Sequence, residues 1–227
     1  MIPKRECLQG ELNNGYVEEY FTILEKKKAS LVLKRAFDIV MGVFMTIVLS
    51  PIMLAVAIAI KIDSKGPVFY RQERVTQYGR VFKVFKFRTM VIDADKIGSH
   101  VTVNNDPRIT RIGKKIRGSR LDELPQLFNV ITGDMTFVGT RPEAVKYVKE
   151  YTDEMRATLL LPAGITSRAS ITYKDEAELL SGAENPDDVY VNIVLPEKMK
   201  INLEYLESFT IWEDIRIMFE TVKSVLT

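Results

Sequence analysis

Two adjacent carboxylates, Asp122 and Glu123, stand in a stretch of the chain that is rich in arginine. Adjacent carboxylates beside arginines suit phosphoryl transfer, because one carboxylate can attack phosphorus while the other binds a divalent cation that neutralises the phosphate oxygens. Acidic residues are also common in the first turn of a helix, where they interact favourably with the helix dipole. The pair therefore suggests this chemistry without establishing it.

Basic side chains close to the pair predict an anionic ligand. Those that could form a cationic cradle for phosphate are Lys86, Arg88, Arg117 and Arg141. Residues 71–120 hold 13 Lys/Arg and 4 Asp/Glu, a net charge of +9, whereas residues 143–227 hold 9 and 16, a net charge of −7. Two solvated faces that pair with each other would give the same asymmetry. The formal net charge of +2 for the whole chain identifies no partner.

Composition excludes several classes of site. The 227 residues include one cysteine, Cys7, and one histidine, His100, which excludes a disulfide framework, a multi-cysteine zinc site and a His-rich metal site. We interpret Cys7 as a free thiol and His100 as a loop residue. The sequence has neither a Walker-type loop nor a complete Gly-x-Gly-x-x-Gly fingerprint, which argues against the common nucleotide-binding loops.

The elements that must position these residues begin with an apolar segment. Residues 39–60 carry no charge over 22 positions, and as a helix they would be about 33 Å long, enough to cross a bilayer core. Pro51 in its middle removes a helix hydrogen bond at a cost of roughly 3 kcal/mol, and the hydroxyl of Ser50 could satisfy the freed backbone group. Basic residues flank both ends, so the positive-inside rule favours both ends on the cytoplasmic side. We predict a re-entrant helix broken at Ser50-Pro51 rather than a straight span.

The remaining segments predict an α/β fold rich in helix. The expected strands are 68–70, 81–87 and 135–138, and the expected helices are 121–130, with Ser119 as its N-cap, and 143–161. From residue 196 onward, apolar residues recur at helical spacing, which indicates either core packing or a helix on the membrane surface. The predicted organisation is a polar lead-in (1–30), a membrane helix (31–65) and a catalytic domain (66–227).

Six short motifs follow one another in a fixed order. They are KRAFD at 34–38, Ser50-Pro51, KFRTM at 86–90, DPRITR at 106–111, LDELPQ at 121–126 and GTRP at 139–142. In this combination the chain resembles the monotopic phosphoglycosyl transferases, the bacterial sugar transferases that prime polyprenyl-phosphate glycolipids. The resemblance covers residues 31–227, more loosely toward the C-terminus.

The resemblance implies a fold and a reaction. It implies a re-entrant membrane helix and a small α/β catalytic domain with amphipathic interfacial helices, on the cytoplasmic face of the bacterial inner membrane. Asp122 matches the nucleophile that takes the sugar phosphate from a UDP-sugar, releases UMP and passes the phosphosugar to undecaprenyl phosphate. Glu123 matches the partner that binds Mg²⁺ and supports proton transfer. The positions expected to bind substrate are Lys86, Arg88, Asp106, Arg108, Arg117, Arg141 and Pro142.

Two departures and two other interpretations accompany this resemblance. Thr140 stands where many relatives have proline, and residues 167–170 differ from the usual continuation, which affects the expected sugar and nucleotide contacts.

A membrane-anchored module that binds nucleic acid or anionic lipid would also use the basic block of residues 71–120, and the aromatic residues of 81–87 support this interpretation. A catalytically silent adaptor of the same fold is the other alternative. The expected partners are the UDP-sugar, undecaprenyl phosphate and the bilayer, without nucleic acid, and the C-terminal amphipathic segment allows a homodimer.

Overall fold

The structure, a computed structural model, describes residues 1–94, 106–182 and 185–226. His100 lies outside the described residues. The helices are α1 (Gly15–Lys26), α2 (Lys28–Asp63), α3 (Arg111–Gly118), α4 (Gln126–Thr132), α5 (Val145–Val148), α6 (Arg168–Thr172), α7 (Glu176–Ser181), α8 (Pro186–Val189), α9 (Leu195–Ser208) and α10 (Ile211–Leu226). The strands are β1 (Phe69–Val75), β2 (Val81–Phe87), β3 (Met135–Val138) and β4 (Ala163–Thr166). The predicted helix-rich mixture of helix and sheet is confirmed.

The apolar segment forms a single long helix, α2, which continues through Pro51. The hydroxyl of Ser50 donates a hydrogen bond to the carbonyl oxygen of Ile47 at 2.8 Å. An N–H at position 51 would have engaged that carbonyl, so the predicted compensation by Ser50 is confirmed. Within the described residues, α2 is the one helix that is long and apolar enough to cross a membrane. The re-entrant path stays a prediction.

Both ends of α2 pack against the globular part, whereas its middle is exposed. Gly42 lies so close to α4 that a Cβ atom there would come within 3.2 Å of Ile131. Nearer the C-terminal end, Val56 and Ile60 are buried in a cluster with Phe87. The exposed apolar side chains between these contacts are Val43, Phe44, Ile47, Val48, Ile52 and Leu54. An apolar surface of this kind marks a contact with lipid or protein, and α2 is fastened to the globular part on both sides of it.

The hairpin of β1 and β2 carries one of the predicted basic residues. Its strands are antiparallel, with Phe69 opposite Phe87 and Tyr70 opposite Lys86. The strand predicted at 81–87 is confirmed, and the one predicted at 68–70 extends to Val75. The turn between them uses a left-handed backbone at Tyr78 (φ 60°).

The parallel pair β3–β4 forms the second sheet, and its strands meet at two glycines. A Cβ atom at Gly164 would lie 2.2 Å from the carbonyl oxygen of Gly139, so only glycine fits this close approach. The helix predicted over 143–161 is wrong, because the connection forms only the short α5 and a 3-10 segment, Met155–Leu160. A helix of that length would be about 28 Å long, twice the length of these four-residue strands.

Residues before α2 contribute to the core of the globular part. The buried side chains of α1 are Val17, Tyr20, Phe21 and Leu24. The helix packs against α9 and the 3-10 segment at 155–160, and the N-terminal ammonium of Met1 donates to Oε1 of Gln77 at 3.3 Å. The sequence predicted a polar lead-in here, but the amphipathic pattern of α1 places its apolar face inside the fold.

The two interpretations of the C-terminal segment apply to different halves of it. α9 buries Leu203 and Leu206, and Phe209 is buried at the bend that follows. α10 instead leaves Trp212 79% exposed and Phe219 73% exposed. Core packing is therefore confirmed for α9, whereas α10 presents a partly apolar face to its surroundings.

Candidate active site

The acidic pair lies on a tight turn between α3 and α4. Arg120 adopts a left-handed backbone (φ 56°, ψ 13°), which reverses the chain after α3. For a residue other than glycine this conformation costs roughly 1–2 kcal/mol, and such strain concentrates at functional sites. Asp122 and Glu123 follow in a 3-10 turn, Leu121–Glu123. The turn therefore presents both carboxylates at the start of α4 rather than within a helix.

The predicted helix at 121–130 begins later than expected. α4 starts at Gln126, directly after Pro125, which occupies the N-cap position. The hydroxyl of Ser119, the predicted N-cap, instead donates to the carbonyl oxygen of Lys115 at 3.1 Å. The N-cap prediction was wrong because Ser119 closes the preceding helix.

Glu123 is held by two cations. Arg141 donates from Nη2 to Oε1 of Glu123 at 2.7 Å, and Nζ of Lys86 lies 3.7 Å from the same oxygen. Burial by itself would raise the pKa of Glu123, but the charges of Arg141 and Lys86 lower it to about 2. Glu123 is therefore ionised at neutral pH, and its charge in turn raises the pKa of Arg141.

Asp122 has the opposite electrostatic environment. Burial raises its pKa, and the charge of Glu123 raises it further. Lys86 and Arg117 act against this effect through their positive charges. Two neighbouring carboxylates with pKa values shifted in opposite directions commonly have different roles in one reaction.

Lys86 is positioned by a residue that sequence analysis missed. The side-chain oxygen of Asn129, on α4, accepts from the backbone N–H of Phe85 at 2.9 Å, and its amide nitrogen donates to the carbonyl oxygen of Lys83 at 3.1 Å. These two bonds tie β2 to α4 one residue before Lys86. A polar residue inside the apolar run LFNVI was the available signal in the sequence.

The hydrogen bonds of Arg88 are made at the C-terminal end of α2. Its guanidinium donates to the carbonyl oxygens of Lys65 at 2.6 Å and Ser64 at 2.9 Å, and to the hydroxyl of Ser64 at 2.8 Å. These contacts give Arg88 a structural role, and its predicted binding of substrate stays a prediction. Arg88 is 5% exposed and links the segment that follows α2 to the end of β2.

Replacing Arg88 by alanine should destabilise the protein. Charge-assisted hydrogen bonds contribute about 1.5–3 kcal/mol each, and the Arg88→Ala variant leaves its carbonyl partners near α2 unpaired, so we expect a loss of about 2–3 kcal/mol. Thermal unfolding in detergent measures it. The matched control is Lys65→Ala, which removes an exposed side chain and keeps the carbonyl that Arg88 engages. Equal melting temperatures for both variants would contradict this role.

Asp106 and Arg108 bind each other. The carboxylate of Asp106 accepts from Nε of Arg108 at 2.9 Å and from Nη2 at 2.6 Å. These hydrogen bonds hold the pKa of Asp106 at about 2. Nη1 of Arg108 also donates to the carbonyl oxygen of Ala94 at 3.1 Å. The positive charge of Arg117 acts to lower the pKa of both Asp106 and Asp122, so Arg117 lies near both carboxylates.

Pro142 and Glu143 hold the chain that carries Arg141. Oε1 of Glu143 accepts from the hydroxyl of Tyr190 at 2.6 Å and from Nζ of Lys198 at 3.3 Å. Pro142 is half-buried beside them. This buried group has no signal in the sequence, because Tyr190 and Lys198 are 47 and 55 residues from Glu143.

The KRAFD motif joins the N-terminal part of α2 to β3, α4 and α10. Nζ of Lys34 donates to Oδ2 of Asp214 at 2.5 Å. Arg35 donates to two carbonyl oxygens in the last turn of α4, those of Val130 at 2.7 Å and Ile131 at 2.9 Å. Asp38 accepts from the hydroxyl of Thr136 at 2.7 Å. The motif thus joins the membrane helix to the sheet that precedes Arg141.

The family described as bacterial sugar transferase matches residues 29–227. The chain belongs to this family. A UDP-glucose:undecaprenyl-phosphate glucose-1-phosphate transferase of Escherichia coli (strain K12) is 38% identical over 195 residues, covering 84% of this chain and 39% of that protein. An undecaprenyl-phosphate glucose phosphotransferase of Komagataeibacter xylinus is 40% identical over 212 residues, covering 89% and 38%.

One relative has nearly the same length as this chain. The exopolysaccharide production protein PSS of Rhizobium leguminosarum bv. phaseoli is 39% identical over 208 residues, covering 87% of this chain and 96% of that protein. By contrast, this chain spans about two fifths of the length of the Escherichia coli and Komagataeibacter proteins.

The departures from the family pattern have structural explanations in this chain. The carbonyl oxygen of Thr140 accepts from the N–H of Gly164 at 2.8 Å, a backbone contact that does not depend on the side chain. Ser167 caps α6 by accepting from the N–H of Ser170 at 3.0 Å. Arg168 donates from Nε to Glu213 of α10 at 2.6 Å. Residues 167–170 therefore serve the packing of α6 and α10.

The donor set of the site fits Mg²⁺ bound together with phosphate. Magnesium prefers oxygen ligands and is commonly held by one or two carboxylates plus substrate phosphates. Asp122 and Glu123 supply such carboxylates, and both cationic contacts of Glu123 are made to Oε1. Within the described ranges, no group of three or more His, Cys, Asp or Glu residues forms a complete protein cage for a metal. A metal here would depend on substrate oxygens.

Proposed function

We propose that this chain is a membrane-associated priming enzyme of bacterial polysaccharide or glycoconjugate synthesis. It moves a sugar 1-phosphate from a UDP-sugar to undecaprenyl phosphate and releases UMP. The observation that carries the proposal is the turn at Asp122 and Glu123, where Arg141 and Lys86 contact Glu123. This turn belongs to a domain that packs against α2, a long helix with exposed apolar side chains. Named relatives that act on undecaprenyl phosphate support it.

The reaction proceeds in two displacements at one phosphorus atom. A carboxylate oxygen of Asp122 attacks the phosphorus that bears the sugar, and the bond from that phosphorus to the bridging oxygen breaks, so UMP leaves with the electron pair. An oxygen of undecaprenyl phosphate then attacks the same phosphorus, and Asp122 leaves as a carboxylate. The lipid product carries the sugar on a diphosphate.

The other residues of the site bind and orient charge. Arg141 and Lys86 neutralise phosphate oxygens, and Glu123 holds both cations in position. Glu123, with Asp122 nearby, would hold Mg²⁺, which supplies Lewis-acid stabilisation of phosphate charge when it is bound.

The proposal places the domain on the cytoplasmic face of the inner membrane, with α2 entering and leaving by that face. The contacts of Gly42 and of Val56 with the same globular part support this path.

Labelling with a membrane-impermeant thiol reagent tests the re-entrant path. Cys7 reports the side of the membrane before α2, and Glu73→Cys in a Cys7→Ser background reports the side after α2. Protection of one position and labelling of the other would contradict a re-entrant helix.

Single-turnover kinetics test the proposed chemistry. With a UDP-sugar but no lipid acceptor, we expect UMP release to stop at one equivalent per enzyme, and the denatured protein to gain the mass of one sugar phosphate. A panel of UDP-sugars with undecaprenyl phosphate then identifies the substrate by sustained UMP release. Continuous turnover that requires both substrates, without any covalent adduct, would contradict the two-step reaction.

The pH dependence of the first step should shift in opposite directions in two variants. Asp122 attacks as a carboxylate, so the rate falls as the pH drops through its pKa. Glu123→Gln removes a negative charge that raises the pKa of Asp122, so the acidic side of the pH–rate profile should move to lower pH. Lys86→Met removes a positive charge that lowers this pKa, so the acidic side should move to higher pH. Single-turnover UMP release across a pH series measures both. Shifts in the same direction would contradict the assigned electrostatics.

A further inference from the structure

The short helix α3 has a cationic exposed face. Its sequence, RIGKKIRG, contains no acidic residue. Arg111, Lys114 and Lys115 are exposed, whereas Gly113 and Ile116 are buried. The helix therefore has one face for packing and another whose side chains are all basic.

Two contacts fix α3 beside the last turns of the membrane helix. Ile112 and Ile116 pack in the cluster that contains Val56 and Ile60 of α2. The carboxylate of Asp63, the last residue of α2, accepts from the backbone N–H of Ile112 at 2.9 Å. The height of α3 relative to the bilayer is therefore set by the end of α2.

The exposed residues of α2 near this contact define that height. Ile58 and Ile62 are apolar and exposed. Lys61 lies between them in the sequence, Lys65 follows three residues after Ile62, and both lysines are exposed. Apolar side chains at this level suit the hydrocarbon boundary, whereas lysines suit the headgroup region, to which their long side chains extend. The basic face of α3 cannot enter hydrocarbon, so it lies at the level of the headgroups.

We propose that this cationic face, with Lys61 and Lys65, binds anionic phospholipid headgroups of the membrane that holds α2. The inference rests on the membrane location in the proposed function and adds a selectivity for lipid charge. Phospholipid fits better than nucleic acid, because α3 has no aromatic side chain for base stacking and borders a lipid-facing helix. Each basic residue near an anionic surface contributes about a five-fold factor in affinity.

The position of α3 gives this binding a consequence for the reaction. α3 ends at Gly118, and the chain turns at Arg120 directly into the acidic pair. Headgroups bound along α3 therefore hold Asp122 at the height at which a lipid-borne phosphate arrives.

Energy transfer to labelled lipids tests the proposal. A donor fluorophore is attached at Ser119→Cys in a Cys7→Ser background, and the protein is reconstituted in phosphatidylcholine vesicles. These contain acyl-chain-labelled phosphatidylglycerol or phosphatidylcholine at the same mole fraction. We expect several-fold greater enrichment of the labelled phosphatidylglycerol, decreasing with salt. The enrichment should be lost in Lys114→Gln/Lys115→Gln and kept in Lys149→Gln/Lys200→Gln, a matched pair of exposed lysines outside this surface.

The outcomes separate this proposal from the proposed enzyme activity. Equal transfer from both lipids, or a preference unchanged in Lys114→Gln/Lys115→Gln, would overturn the lipid surface. Binding of a labelled oligonucleotide in competition with phosphatidylglycerol would overturn it in favour of nucleic acid. Absence of transfer from either lipid would overturn membrane insertion as well. A phosphatidylglycerol preference in a sample without UMP release supports the lipid surface and contradicts only the proposed reaction.

Discussion

Replacing Asp122 by asparagine should abolish sugar-phosphate transfer while the protein remains folded and associated with membranes. The substitution keeps the shape of the side chain and removes the oxygen nucleophile. Loss of a covalent nucleophile lowers the rate by roughly 10⁴- to 10⁶-fold in well-studied enzymes. Asp122→Asn also removes one of two neighbouring negative charges, so no structural reason exists for a loss of stability at this turn.

Two measurements separate a chemical defect from a folding defect. UMP release gives the activity, and intact-protein mass spectrometry after incubation with UDP-sugar shows whether an adduct forms. Asp153→Asn is the matched control, because this carboxylate is 68% exposed and lies outside the acidic turn; it should retain activity and adduct. Full turnover by Asp122→Asn, or an adduct mapped to another carboxylate, would contradict the assignment.

Glu123→Gln should give a different defect from Asp122→Asn. The amide keeps the nucleophile in place but no longer balances Arg141 and Lys86, so those cations lose their common anchor. We expect slow formation of the adduct rather than its absence. Time courses of adduct mass in the two variants therefore distinguish a nucleophile from its positioning partner.

The parts of the fold that sequence patterns predicted are those in which local periodicity and packing agree. The alternation of apolar and basic residues at 81–87 gives β2 because Phe82 and Val84 face the core. The helix predicted at 143–161 failed because the chain must return to a short parallel strand, a constraint that comes from tertiary structure. The acidic pair was identified correctly as adjacent residues, but its left-handed entry at Arg120 has no sequence signal, since this conformation usually favours glycine.

The assignment of basic residues was less predictable than that of the carboxylates. Lys86, Arg88 and Arg141 are similar in type and occur in similar motifs, yet Arg88 binds backbone carbonyls at the end of α2 whereas the other two contact Glu123. Lys86 lies in β2 and Arg88 follows two residues later. Lys86 lies near the acidic turn, whereas Arg88 lies near the end of α2, so the two side chains have different partners. The charge pattern predicts a cationic region but not the partner of each cation. Arg88 binds the carbonyl oxygens of Ser64 and Lys65 because α2 ends beside it, and the sequence does not show where α2 ends in space.

Replacing Lys34 by methionine should give the largest loss of stability. Lys34 is 1% exposed and donates to Asp214, itself 4% exposed, and to the carbonyl oxygen of Val138 at 2.8 Å. Removing one member of a buried ion pair leaves the other charge without compensation, at a cost of about 3–5 kcal/mol. For a domain of this size we expect the melting temperature to fall by roughly 6–20 °C.

The defect should depend on pH in a defined direction. Burial raises the pKa of Asp214, and the charge of Lys34 opposes that effect. Without Lys34 the pKa rises further, so the folded state favours a protonated carboxyl. A group whose pKa is raised on folding contributes its stability at low pH and loses it as pH rises through the folded-state pKa. Lys34→Met should therefore be closer to the unmodified protein in acid than at neutral pH.

Far-UV circular dichroism, which follows the loss of the helices, reports this unfolding in detergent. Lys28→Met is the matched control, because it removes an exposed lysine from the same helix and should change stability by less than about 0.5 kcal/mol. The double variant Lys34→Met/Asp214→Leu should recover part of the loss, since it removes the uncompensated carboxylate. If the double variant were no more stable than the single one, the loss would come from the hydrogen bonds of Lys34 to Val138 and of Tyr205 to Asp214 rather than from the charge of Asp214. If the double variant is instead more stable than Lys34→Met, the loss comes from the uncompensated charge of Asp214. The contact between α2 and α10 then tolerates the loss of both charges better than the loss of one.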